Sequence, residues 1–426
     1  MIKLCILICL ICAVIGFSID KKVYSPIGIY SIWFFFLSFG ANLLLFNLYQ
    51  IDQIVYTYIA IAVMFFLIGG IIAKVNIYSI GRQKDIFNKN IFWIYLFIIT
   101  VIYAPTLFRT IKVLFQGKSL TYIYSLTTLS QQGIKTEITK TGIEEVLDSY
   151  VLMPLMNLMI PLSIVLFFKE KKLNKLFIAL WLLFIRLITS GTRSCILLFG
   201  EYILLNIVFI YENRKVQIFL RQRPEYKKYI KLLILLAVPF VILISILTKQ
   251  RGISNFVESL YYYYPGALGI FNQKLKQYNN LEITHSFGIL SMMGFINPIV
   301  SFFQHLGIEP GNLFEKTLSL YHSLQNDPVY ISDSWKGNVL VTNVYYFYVD
   351  GGIEGVIIGS IVYGYISENI YKKLNLKKSI KNMTLFSFFL CHILMMSHAR
   401  MQISLMHIAL SFVYMIPLFA VKIKYT

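Results

Sequence analysis

The sequence predicts an all-α, polytopic membrane protein with about eleven transmembrane helices, on three observations. Hydrophobic residues make up 57% of the 426 residues, and Asp, Glu, Lys and Arg together only 14%. Soluble domains carry about a quarter charged residues, so no folded core hides this much apolar side chain from water. Apolar runs near 20 residues, the length that crosses the hydrocarbon layer, recur along the chain. Lys and Arg, 39 against 20 Asp and Glu, gather in the gaps between alternate runs, as they do in cytoplasmic loops. These features exclude a cytosolic enzyme, a secreted domain and a disordered scaffold together. A net charge of +19 elsewhere suggests nucleic acid, but here topology explains it and no nucleic-acid partner is expected.

The runs fall at 2–17, 27–48, 54–73, 91–108, 150–168, 174–189, 194–211, 232–248, 352–371, 383–397 and 402–421. The first reads as a retained span with its N-terminus outside, because Lys21 and Lys22 lie on its far side and no A-x-A site follows. Eleven crossings then leave the C-terminus inside. Segments 18–25, 74–90, 168–175, 212–231, 371–382 and the tail from Lys422 become cytoplasmic and hold 24 of the 39 Lys and Arg. Loop 212–231 is the strongest anchor, a topological signal rather than a lipid or protein site. The whole of 1–426 reads as one integral membrane domain, with outer segments at 109–149 and 249–351. Within the larger one, 286–306 is nearly long enough to span. A full crossing there would invert everything after it, so a re-entrant or interfacial helix broken near Asn297-Pro298 is expected. No repeat relates the two halves of the chain.

Soluble-enzyme signatures are missing: there is no phosphate-binding glycine loop, no H-E-x-x-H and no G-x-S-x-G. Cys5, Cys9, Cys12, Cys195 and Cys391 lie in apolar runs without ligand spacing, so neither a metal site nor a disulfide framework is expected. What remains is a set of polar residues near span ends. Arg186 and Arg193 flank the stretch RLITSGTRSC between two apolar runs. A guanidinium stays charged and is costly in lipid, so it must face protein, water or the interface. Arg186 reads equally as a side chain snorkelling at a helix end. At Arg193, Gly191 permits a tight turn and a helix begins, so free N–H groups join the guanidinium in a site suited to phosphate. Glu201 lies about 80° around that helix from Arg193 and is expected to pair elsewhere.

Arg251 adds a second cation on the same outer face, followed by Tyr261 to Tyr264, which read first as an interfacial aromatic belt. Asp350 and Glu354 are four apart at the mouth of a span, hence on one helical face. They read as a solvated rim, a complement to the helix dipole, or a catalytic base. The six histidines, including His285, His305 and His322, show no ligand spacing, and each alone reads as packed or solvated. Arg400, in SHARMQ, is equally a topological cation or a site residue.

The order SGTRS, R-G, YYYYPGALGIFN, HSFGI and VTNVYYFYVDGGIEGVIIGSIVYG resembles the Wzy-type oligosaccharide repeat-unit polymerases of bacterial O-antigen and capsule synthesis. The resemblance covers 185–371 by motif and the whole chain by span arrangement, and its last block is the most specific. Where the commoner form has Asp-Phe-Gly or Asp-Phe-Leu after the aromatic run, this chain has Asp350-Gly351-Gly352. The resemblance implies a glycosyltransferase of the bacterial inner membrane, without metal or cofactor, acting on the extracytoplasmic face. Its substrates would be undecaprenyl-diphosphate-linked oligosaccharide repeat units, and its partners a flippase and a chain-length regulator. It also implies diphosphate binding by Arg193, Arg251, Arg186 and Arg400, a proton acceptor among Asp350, Glu354 and His285, and glycan contacts from Tyr263, Tyr264 and Asn343. Two rivals remain. A lipid-linked oligosaccharide flippase or other transporter should show internal repeats and charges deep in several helices. An O-antigen ligase shares the donor and differs in its acceptor.

Overall fold

The structure, a computed structural model, describes residues 1–75, 84–131, 136–138, 140, 142–190, 194–211, 256–279, 285–337 and 340–422. In chain order its helices are α1 (Ile2–Asp20), α2 (Pro26–Asn42), α3 (Gln53–Val75), α4 (Lys89–Phe115), α5 (Leu120–Gln131), α6 (Gly142–Glu170), α7 (Leu173–Ser190) and α8 (Ser194–Tyr211). Then follow α9 (Phe256–Tyr263), α10 (Gly266–Asn279), α11 (Met293–His305), α12 (Asn312–Asn326), α13 (Thr342–Leu376), α14 (Ile380–His398) and α15 (Met406–Leu418). Two small antiparallel pairs complete it: β1 (Lys84–Phe87) with β4 (Phe419–Lys422), and β2 (Val329–Tyr330) with β3 (Lys336–Gly337).

Among the described residues, seven helices are long and apolar enough to cross a membrane: α1, α3, α4, α6, α7, α13 and α14. The shorter α2, α8 and α15 are also apolar. The chain is therefore all-helical in its bulk, multi-pass, and suited to a lipid bilayer. The expected run 232–248 and the basic loop 212–231 lie outside the described residues. The run expected at 27–48 stops being helical at Asn42, because Leu44, Phe46 and Asn47 all adopt left-handed backbone angles.

The described residues form two compact units, Met1–Gln83 with Val257–Leu410, and Lys84–Phe256 with Ser411–Thr426. In the first, Ser25 caps α2 by accepting from the Gly28 N–H, with Pro26 pre-set at the first helical position. The core joins α2, α3 and α13: Tyr30 stacks on Phe66 at 4.0 Å, meets Tyr363 edge-on at 5.9 Å, and exchanges hydrogen bonds with Asn343. Where α1, α3 and α13 meet, Lys74 pairs with Asp20 and, at 3.5 Å, with Glu368, both buried. In the second unit, Asn88 caps α4 through the N–H groups of Asn90 and Ile91. The described residues of 109–149 include helical stretches. Helix α4 continues into this segment to Phe115, and Val113, Ile123, Leu126 and Ile138 bury a small core there.

The 286–306 stretch also departs from expectation. Helix α11 runs through Pro298 without a break, since a proline removes one N–H and kinks a helix but need not end it. Its 13 residues give about 20 Å, short of the ~30 Å hydrocarbon layer. On one flank the N–H groups of Ser286 and Phe287 donate to the carbonyls of Val349 (3.1 Å) and Asp350 (2.9 Å). On the other, the Ile331 carbonyl accepts from the Tyr49 N–H at 2.8 Å. Tyr49 precedes α3, and Tyr348 packs on Tyr58 of α3 at 4.8 Å. The chain before α11 and the chain after α12 thus both lie at the end of the unit where α3 begins.

Candidate functional site

The aromatic run and the glycines after it are not one straight helix. Gly352 holds φ +61° and ψ −143°, and α13 breaks there into Thr342–Asp350 and a longer arm from Ile353. Tyr30 touches both Asn343 and Tyr363, which a straight helix would hold about 30 Å apart. The first arm therefore doubles back on the second. Close approach demands small residues there: a Cβ at Gly355 would run into the Phe347 carbonyl, and one at Gly359 would meet the Phe347 ring at 2.6 Å. The sequence reading put Asp350 and Glu354 on one helical face. The glycine break lies between them, so they are not on one.

Asp350, 9% exposed, sits at the tip of this hairpin. One carboxylate oxygen accepts from the Ser286 hydroxyl and the Leu290 N–H (3.1 Å), the other from the Ser291 N–H (3.2 Å). It caps the turn that leads into α11, and its acceptor capacity is largely engaged. Glu354 is exposed on the second arm. His285, also exposed, holds its imidazole 3.3 Å from where a Cβ on Gly352 would stand. Arg400 lies toward the other end of the first arm: the carbonyl of its neighbour Ala399 accepts from the Val341 N–H at 2.9 Å, just before Thr342. Burial pushes the Tyr321 phenol of α12 upward, and the Arg400 guanidinium opposes that rise. HSFGI and YVDGG, distant in sequence, thus meet at the hairpin tip, while SHAR adjoins the start of the first arm.

The remaining candidates are placed differently. Asn343 is fully buried, and its amide is shared with Tyr30. Tyr264 packs edge-on against Trp33 at 5.5 Å and, tilted, against His398 at 5.0 Å, inside the unit. Tyr263 is 41% exposed and meets Trp335 at 5.8 Å. Arg186, in the second unit, donates to the Asn157 side-chain oxygen. The Asn157 amide nitrogen is buried without a partner among the described residues, and Pro161 removes the usual helical partner of its carbonyl. Nearby, the Tyr103 hydroxyl donates to Asp148 at 2.8 Å and Lys140 pairs with Asp148 at 2.6 Å. Arg193 and Arg251 lie outside the described residues. Glu201, expected to pair, keeps one buried oxygen without a partner among them.

Sequence reasoning missed Ser286 and Ser291 as ligands of Asp350, and the buried His398 beneath Trp33. Pairings across 59 to 365 residues leave no periodic trace. The tract Ser332-Asp333-Ser334-Trp335 was a findable signal: turn residues beside a tryptophan. Among the described residues, no three His, Cys, Asp or Glu side chains converge as a metal site. Comparison with protein-family models, curated proteins and solved structures finds no match to the chain.

Proposed function

We propose that the protein polymerises lipid-linked oligosaccharide repeat units on the outer face of the bacterial cytoplasmic membrane. On this reading it has eleven spans, with the hairpin tip at the extracytoplasmic end. A hydroxyl of the incoming repeat attacks the anomeric carbon of the growing glycan. The bond from that carbon to undecaprenyl diphosphate breaks, and the hydroxyl proton passes to a base. The diphosphate leaves with its charge stabilised by fixed cations, so no general acid is needed. Arg193 and Arg251 are the first arginines to test in that role. The observation that supports the reading most is the meeting of HSFGI with YVDGG, which sets the exposed His285 beside Gly352, at the tip that Asp350 caps and from which the arm bearing Glu354 starts. Because Asp350 is engaged as a cap, the exposed Glu354 or His285 takes the proton, and Asp350 positions the tip.

The test is the surface polysaccharide profile of a deletion strain. A polymerase acts after assembly and flipping, so glycan capped with a single repeat should remain while longer polymer disappears. In the complemented strain, Arg193→Lys should fail almost as badly as Arg193→Ala, because a point charge cannot reproduce the bidentate fork. The loss should exceed about a hundredfold in rate at equal membrane levels. Full-length polymer from well-inserted Arg193→Ala and Arg251→Ala variants would remove the diphosphate role.

One observation favours a second reading. Helices broken at glycine with buried polar groups also build transporter sites, as in a flippase. Loss of the single-repeat band together with the polymer would select that reading.

A further inference from the structure

We propose that the β2–β3 hairpin, Val329–Gly337, is a distal carbohydrate subsite that holds a pyranose ring of the glycan chain. It rests on the glycosyltransferase reading and adds, beside the Tyr263 that the resemblance already implies, a binding surface on the hairpin itself. The hairpin displays aromatic rings in an ordered set. Trp335 stacks on Tyr262 at 4.9 Å with planes 12° apart, and meets the exposed Tyr263 nearly at right angles. Tyr330 is 52% exposed, with the Lys336 ammonium 4.3 Å from its ring centre. A pyranose has the matching chemistry: an apolar C–H face for an aromatic ring, and hydroxyls around its edge for polar groups.

Polar groups are in place. The Tyr49 hydroxyl donates to one oxygen of exposed Asp333 at 2.9 Å, leaving the other without a partner among the described residues. The Ser332 hydroxyl is buried and also unpartnered among them. Asp333 and Lys336 stand among the exposed rings, which does not suit a hydrocarbon surface. The surface is pre-organised by three contacts. The Tyr49 N–H donates to the Ile331 carbonyl, the Ile331 N–H to the Trp335 carbonyl, and the buried Tyr262 to the Phe46 carbonyl. A ligand therefore binds without having to order it.

Position points to the glycan chain rather than its reacting end. Ile331 packs against Gly269 near the start of α10, while Tyr278 near its end reaches the Val349 carbonyl beside Asp350. Nine residues of helix separate those contacts, about 14 Å, which a few linked sugars cover.

The experiment uses the full chain in nanodiscs. The probe is the oligosaccharide repeat released by mild acid from the host's own lipid-linked pool, and binding is read by calorimetry. We expect saturable binding, weakened at least about tenfold by Trp335→Ala and largely kept by Trp335→Phe. Tyr330→Ala and Asp333→Asn should each weaken it several-fold, and Trp181→Ala, far along the sequence in α7, should not. No binding to folded wild-type protein overturns the proposal, as does unchanged binding in both Trp335→Ala and Tyr330→Ala. An equal response of tryptophan emission to sugar-free phosphatidylglycerol vesicles, abolished by Trp335→Phe, assigns the surface to lipid and also overturns it. Failure here with polymer still dependent on the protein removes the subsite alone. Trp335-dependent binding with polymer intact in the deletion strain removes the polymerase reading alone.

Discussion

Asp350 and Glu354 carry the same functional group, but their surroundings give them different work. Asp350 accepts from a hydroxyl and two backbone N–H groups, so removing its charge weakens three contacts at once. Asp350→Asn should therefore lower stability by about 1–3 kcal/mol, with polymer yield falling in step with the amount of folded protein. Glu354 is exposed and makes no such contacts among the described residues, so Glu354→Gln should leave the melting temperature unchanged. If Glu354 is the base, that variant loses about a hundredfold or more in polymer formation. Thermal melting in detergent, alongside polymer yield at matched membrane levels, separates the two. Normal polymer from Glu354→Gln would leave His285 as the acceptor. Asn343, buried and bonded to Tyr30, belongs to the packing of the hairpin base.

At the scale of the element, the hairpin depends on one glycine more than on its neighbour. Gly351 has φ −167°, extended backbone that any residue adopts, with open space where a Cβ would go. Gly352 has φ +61° with ψ −143°, where an L side chain is strained, and His285 stands 3.3 Å from its missing Cβ. Gly352→Ala should cost about 1–3 kcal/mol and disorder the tip, while Gly351→Ala should be tolerated. Comparable melting temperatures for the two would show that the chain can turn at the tip another way. The other end of the second arm is held by Lys74 between Asp20 and Glu368. The arm that presents Glu354 at one end is thus clamped through buried charge at the other. Helix α11 illustrates the same scale: its start follows from the Asp350 cap, and Pro298 inside it does not stop it.

At the scale of the molecule, orientation is the testable quantity. Reporter fusions after Lys231 and after Lys381 should both report cytoplasm if eleven spans alternate as the basic segments do. A fusion at 381 reporting the outside would mean that 286–306 crosses, against the return of the chain beyond α12 to the end it left before α11. The apolar helices themselves were legible from composition, since about 20 residues of unbroken hydropathy have few homes other than a bilayer. The shortening of α2 was not, because left-handed turns at Leu44, Phe46 and Asn47 have no glycine to announce them. The candidate site was half legible: His285, Asp350, Glu354 and Arg400 could be picked out by type and by the ends of runs. That HSFGI and YVDGG meet could not, since periodicity describes only neighbours along the chain. The sequence alone determined the all-helical, multi-pass class and the distribution of its charge, because hydropathy and charge act residue by residue against the solvent. Only the tertiary structure decided that Asp350 caps a turn while Glu354 stays exposed, and that an aromatic run doubles back at Gly352. Those outcomes depend on hydrogen bonds and close packing between segments far apart in the chain, which local composition does not encode.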